Sequence, residues 1–192
     1  MSTSSHTHDR GEREALRKLI LSAMFMAIGV ILPFFTGQIQ QFGKMILPMH
    51  LPVMLCGLIC GWQYGGAVGL ILPFLRSMMF GMPPMYPEAV AMSVELAVYG
   101  LTIGLIYSLF KKQNVLTVYL ALIPSMILGR AAWGATQVII LGLSDRSFTW
   151  GLFFAGAVLR AIPGIIIQLL LIPAIMAMLN HTGMLPYKGE ST

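Results

Sequence analysis

The chain has 192 residues, of which 57% are hydrophobic and only 10% charged, with a mean hydropathy of +0.80. Soluble domains carry roughly 25% charged residues, so this composition leaves too little polar surface for a water-soluble globular fold. The net charge of +5 gathers at the flanks of apolar runs, which argues for membrane orientation and against nucleic-acid binding.

In chain order, Met1 to Glu12 is polar, and residues 1–14 are expected to form a disordered cytoplasmic tail. His6 and His8 in that tail read as solvated side chains rather than metal ligands. Arg10, Arg13, Arg17 and Lys18 precede the first apolar run, Leu19 to Phe35. That run is near the ~20 residues a bilayer core requires, and no small-residue cleavage site follows it. It therefore reads as a permanent helix, expected from Ala15 to Thr36. A polar segment, Gly37 to Lys44, leads to helix 2 (Met45 to Trp62), with Pro48 and Pro52 near its beginning. Cys56 and Cys60 share one face of that helix as buried packing thiols. A tight turn over Gly61 to Gly66 precedes helix 3 (Ala67 to Phe80). Helices 2 and 3 are short enough to be tilted, broken or not fully spanning.

Gly81 to Glu88 contains three prolines and reads as an ordered non-helical connection. Pro87 and Glu88 suit the first turn of helix 4, which reaches Phe110. Lys111 to Asn114 is a hydrophilic break. Helix 5 is expected from Val115 to Leu143, kinked near Pro124. The loop Ser144 to Ser147 follows, then helix 6 from Trp150 to Leu179, bent at Pro163 and Pro173. A cytoplasmic tail, 181–192, closes the chain. With a cytoplasmic N-terminus, seven basic residues (Arg10, Arg13, Arg17, Lys18, Lys111, Lys112, Lys188) fall inside and two (Lys44, Arg146) outside. The expected architecture is thus all-α: a polytopic cell-membrane protein with six transmembrane helices over residues 15–180 and both termini cytoplasmic.

The other three basic residues, Arg76, Arg130 and Arg160, lie inside apolar helices, as does Glu95. A charge at mid-bilayer costs on the order of 2.5–3.5 kcal/mol, so each needs a partner or a polar cavity. Counting ~1.5 Å per residue puts Glu95 about 10 Å and Arg160 about 15 Å below the outer surface. Arg130 lies roughly 20 Å in from the cytoplasmic side, and Arg76 is near the outer end of helix 3. All four share one layer in the outer half. Met92, Glu95 and Tyr99 occupy one face of helix 4; Arg130, Trp133 and Gln137 one face of helix 5; Arg160 and Gly164 one face of helix 6. Such faces, mostly apolar with a few polar anchors, suit a small-molecule pocket. Two readings stand: a structural ion-pair network in which Glu95 neutralises one arginine, or a cavity whose surplus arginines receive an anionic group such as a carboxylate.

No histidine-rich metal spacing, nucleophile elbow or P-loop is present, so neither an enzyme nor a cofactor or metal is expected, and the chain contains no ATPase of its own. His50, near the outer start of helix 2, reads as a capping or pocket-rim residue. Ala23 with Ala27, Gly57 with Gly61, and Gly100 with Gly104 are small-residue pairs that permit close helix approach.

The opening stretch Leu19 to Pro33, the helix 2 stretch Leu47 to Gly57, and Gly81 to Pro87 followed by Met92 to Gly100 resemble the substrate-binding S component of energy-coupling factor (ECF) vitamin transporters. The likeness covers residues 15 to 180, and the family's AxxxA motif matches Ala23 and Ala27. It implies a six-helix subunit that captures a vitamin-like small molecule at the outer face, between the last three helices and beneath the loop after helix 1. It also implies partners: a transmembrane T component docked on the Ala23–Ala27 face, and two ATPase subunits. On that reading Arg76, Arg130 and Arg160 anchor anionic groups, Glu95 accepts a donor or holds an arginine, and Tyr86, Tyr99 and Trp133 pack the ligand. The N-terminal histidine of the nickel and cobalt members is replaced by Ser2, which argues against a metal substrate. The alternative is a self-sufficient proton-coupled secondary transporter or channel with Glu95 as its proton site.

Overall fold

In this computed structural model residues 3–36, 47–143 and 162–183 are described. They form six α-helices: α1 (Thr3–Ile31), α2 (His50–Cys60), α3 (Trp62–Phe80), α4 (Val90–Leu109), α5 (Val115–Leu143) and α6 (Ile162–His181). A 3-10 turn, Leu32–Thr36, extends α1, and a π turn, Met85–Ala89, leads into α4.

Local chemistry explains most of the boundaries. Gly61, at φ 102°, separates α2 from α3 alone; the break expected over six residues shrinks to one because only Gly61 leaves helical geometry. Pro52 is the third residue of α2, where its missing N–H is tolerated, whereas Pro48 lies in the turn ahead of it. Helix α2 is therefore only 11 residues long, shorter than the Met45-to-Trp62 span expected of it, and at ~1.5 Å per residue covers about half of a ~30 Å bilayer core. Gly81, in the left-handed region at φ 67°, closes α3 by donating its N–H to the Ser77 carbonyl at 2.9 Å. Helix α5 has the expected bounds because Asn114 and Thr117 cap it reciprocally. The Thr117 N–H donates to Asn114 Oδ1 at 2.9 Å, and the Asn114 N–H donates to Thr117 Oγ1 at 2.8 Å.

Helix α1 begins at Thr3 rather than Ala15, so the stretch read as a disordered tail is helical from there. Extending a formed helix adds one hydrogen bond per residue and avoids the cost of nucleation. The first residues expected of helix 6, Trp150 to Ala161, and the tail from residue 184 lie outside the described residues.

Helix α4 is the centre of the bundle and packs against α2, α3 and α5; α1 covers α2 and α3, and α6 lies against α5 and α2. Glycines let the three central backbones touch. A Cβ on Gly57 would stand 2.6 Å from the Gly100 carbonyl oxygen, and one on Gly104 2.6 Å from that of Gly57. Backbone-to-backbone contact of this kind is the usual use of small residues between membrane helices. On the α2–α4–α5–α6 side the core is built from Met54, Tyr99, Ile103, Leu122 and Ile172; on the α1 side it is built from Val53, Cys56, Val68, Leu72 and Leu96.

The outer surface is apolar: Leu19, Leu70, Leu109, Ile127, Ile139 and Leu170 are all exposed. Exposed apolar area distributed around a whole bundle matches lipid, not water. Among the described residues, four stretches are long and apolar enough to cross a membrane: Gly11–Phe35, Met85–Leu109, Val115–Ile140 and Ile162–His181.

Candidate functional site

The buried charge layer centres on Glu95 of α4, which is 2% exposed. Its Oε1 lies 3.0 Å from Arg130 Nη1 of α5 and 3.4 Å from His50 Nε2 at the start of α2. Neither contact is aligned as a hydrogen bond, so Glu95 Oε1 and His50 Nε2 are without hydrogen-bond partners among the described residues, as are His50 Nδ1 and the Nε and Nη2 of Arg130. Nε and Nη2 form one edge of the guanidinium, with parallel N–H vectors that match the two oxygens of a carboxylate.

Tyr99 follows Glu95 by one helical turn and shares its face. Its hydroxyl donates to the Met126 carbonyl at 3.2 Å, and its ring meets the His50 ring edge-on at 5.2 Å between centroids. Gly129 makes room for this ring: a Cβ there would approach Tyr99 to 2.8 Å. The Gly129–Arg130 pair thus brings an aromatic wall and a cation to the same place. Beside them is a recess of about 360 Å³, lined by Tyr99, Ile123, Met126, Ile127, Arg130, Ile165 and Leu169. Its size falls within the range of small-molecule sites, and so does its chemistry, apolar walls around one cation.

The structure joins Glu95, Tyr99 and Arg130 as their spacing suggests, but it places Arg76 elsewhere. Arg76 Nε donates to the Met82 carbonyl and Nη1 to the Val30 carbonyl, both at 3.2 Å. Its guanidinium also lies 5.4 Å from the Phe34 ring centroid and 6.0 Å from that of Phe80. These contacts fasten the end of α1 to the α3–α4 connection, and Arg76 satisfies a carbonyl in the last turn of a helix, where no intrahelical donor remains. Trp133 and Gln137 are half-buried along α5 beyond Arg130, and Tyr86 is exposed on the π turn. None of the three lines the recess. Arg160 lies outside the described residues. Ala23 and Ala27 are exposed on α1.

Two residues were missed. His50, read as a rim residue, is 1% exposed and touches Glu95. Gln168 of α6 is fully buried, with neither amide atom partnered among the described residues. The available signal was its isolation as one amide in Ile165-Ile166-Ile167-Gln168-Leu169-Leu170-Leu171.

A family model described as ECF transporter, substrate-specific component, matches residues 17–176. The chain belongs to this family. It is therefore a multi-pass membrane subunit of an ECF transporter, an S component, and not an enzyme. No curated protein and no solved structure matches it.

Proposed function

We propose that this S component captures a vitamin-like small molecule through an anionic group, at the outer side of the membrane, for ATP-driven uptake. The observation that carries the proposal is that Arg130, whose Nε and Nη2 have no hydrogen-bond partner among the described residues, is one of the residues that line the recess. Glu95 neutralises the guanidinium from the Nη1 side, and Nε and Nη2 on the other edge would receive a carboxylate. Both readings of the charge layer thereby find a place: the ion pair neutralises the arginine, and the arginine binds. The apolar walls from α5 and α6 would hold the body of the ligand, and Tyr99 would close one side.

In this reading the six-helix bundle spans the membrane with both termini cytoplasmic, α2 reaching only part of the way, and the face of Ala23 and Ala27 docks on a transmembrane T component that is joined to two ATPase subunits. Support comes from the apolar exposure of that face, where Leu16, Leu19, Ile20 and Met24 surround the alanines. Co-expression with candidate T and ATPase subunits tests it. Co-elution as one complex and ATP-dependent uptake in vesicles are expected; uptake by the S component alone, driven by a proton gradient and lost in Glu95→Gln, would establish the secondary-transporter alternative.

A further inference from the structure

We propose that His50 is the charge-compensating residue of the capture site: it takes up a proton as an anionic ligand binds at Arg130, which couples capture to pH. This rests on the reading of Arg130 as the anion anchor, and adds to it a positioning residue that acts through Glu95 without touching the ligand.

His50, Glu95 and Arg130 form a buried row drawn from three helices. His50 Nε2 of α2 lies 3.4 Å from Glu95 Oε1 of α4, and the same oxygen lies 3.0 Å from Arg130 Nη1 of α5. Arg130 in turn lines the recess. His50 is 1% exposed, and neither ring nitrogen has a hydrogen-bond partner among the described residues. Other polar side chains inside the bundle are satisfied by their own helices: Ser93 Oγ donates to the Ala89 carbonyl at 2.8 Å, and Thr136 Oγ1 to that of Ala132 at 2.8 Å. Burying an imidazole unpaired is unfavourable, and among the described residues no hydrogen bond holds this ring in one protonation state.

Charge balance gives the ring its task. With His50 neutral, Glu95 and Arg130 cancel. An anion at Arg130 then leaves one negative charge in excess inside the bundle, where screening is weak and an uncompensated charge is costly. A proton on His50 removes the excess and sets the charges in alternating order: imidazolium, carboxylate, guanidinium, ligand. A proton on Glu95 would also restore neutrality, but at the loss of its 3.0 Å pair with Arg130, whereas one on His50 adds a second attraction to Glu95. Histidine is also the side chain that ordinarily changes charge between about pH 5 and 8.

The titratable groups on the elements packed against α2 are otherwise engaged or remote. On α4 the Tyr99 ring meets His50 edge-on at 5.2 Å between centroids, with its hydroxyl donated to the Met126 carbonyl, and Tyr107 lies about two turns further along. On α3 Arg76 donates to the Val30 and Met82 carbonyls, and Tyr64 is in the first turn, beside the end of α2 opposite His50. On α2 itself Cys56 donates to Ser22 Oγ at 3.6 Å, and Cys60 closes the helix. The charged side chains of α1 all precede Leu19, and α6 has no titratable side chain between Ile162 and Asn180.

The test uses the full chain in detergent with hexanoate, octanoate and 3-phenylpropionate as probes. Their carboxyl groups titrate near the glutamate value of about 4.3 and stay ionised from pH 6 to 8. Calorimetry is run in phosphate and in Tris, buffers of low and high ionisation enthalpy, so the difference in heat counts the protons taken up. Arg130→Met/Glu95→Gln in the same detergent corrects for micelle partitioning. Uptake should be greatest where the unliganded ring is neutral and vanish where it is already charged. Affinity should therefore rise as pH falls, by up to about tenfold per unit for one proton. His50→Gln should bind without uptake and with an affinity flat across that range. A second measurement leaves His50 in place: with His6, His8 and His181 replaced by glutamine, the ¹⁵N spectrum of the one remaining imidazole should move to its charged form as octanoate binds at pH 8. Binding without uptake in the wild type, uptake that survives His50→Gln, or an imidazole that stays neutral on binding would overturn the compensating role and leave the carboxylate site standing. Binding of no probe above the reference would overturn the carboxylate reading itself, and the role of His50 with it.

Discussion

Replacing Arg130 by methionine changes stability and affinity for different reasons, and a second substitution separates them. In the unliganded protein Glu95, 2% exposed, loses the cation 3.0 Å from its Oε1. Stranding a buried carboxylate costs about 3–5 kcal/mol. In the liganded protein the Nε/Nη2 edge is also lost, and truncating one side of a buried charge pair costs about 2–5 kcal/mol of binding. At 1.4 kcal/mol per tenfold, affinity should fall roughly 30- to 4,000-fold. Arg130→Met/Glu95→Gln removes the stranded charge and should recover most of the melting temperature, because only a neutral amide remains beside His50. It should not recover binding. Arg130→Lys keeps the charge and loses the fork, so it should be intermediate. Thermal melts and calorimetry on the four proteins with the molecule that co-purifies with the wild type provide both readouts. Should the double variant regain affinity along with stability, Arg130 serves only to neutralise Glu95 and the recess is not the capture site.

Arg76→Met removes donors from the Val30 and Met82 carbonyls and should lower stability by about 1.5–3 kcal/mol per charged hydrogen bond, with affinity nearly unchanged in the folded fraction. An affinity loss as large as that of Arg130→Met at wild-type stability would instead return Arg76 to the binding site. Ala23→Leu should abolish ATP-dependent uptake in the assembled transporter and leave binding by the isolated S component intact; loss of both would make Ala23 an internal packing residue. With Cys56 and Cys60 replaced, a cysteine at Gln113 should resist an impermeant thiol reagent in intact cells and one at Gln40 should react. The reverse pattern would invert the topology.

Much of the helical plan was legible because long apolar runs and their breakers are local signals. Helix α5 begins at its Asn114–Thr117 cap and ends at Leu143, as its sequence suggests. Counting rise along each helix placed Glu95, Arg130 and Arg76 in one layer, and the first two do meet. Rise gives depth but not direction around the bundle, and that is why Arg76 was grouped with them: it turns to the end of α1 instead. His50 was misread because a place near the start of helix 2 does not say which way a side chain faces: it forms the first turn of α2, is 1% exposed and lies against Glu95 of α4. Gln168 carries no charge and interrupts an apolar run only once, so hydropathy alone passes over it. The long reach of α1 back to Thr3 depends on propagation from a formed helix, which composition does not report.

The central claim, that Arg130 anchors an anionic small molecule, is tested most directly by native mass spectrometry of the protein purified from cells, alongside Arg130→Met/Glu95→Gln prepared in the same way. The wild type should carry a bound small molecule that, once released by denaturation, proves to bear a carboxylate or another anionic group, and the double variant should be empty. A cationic or neutral ligand, or equal occupancy of the two proteins, would contradict it.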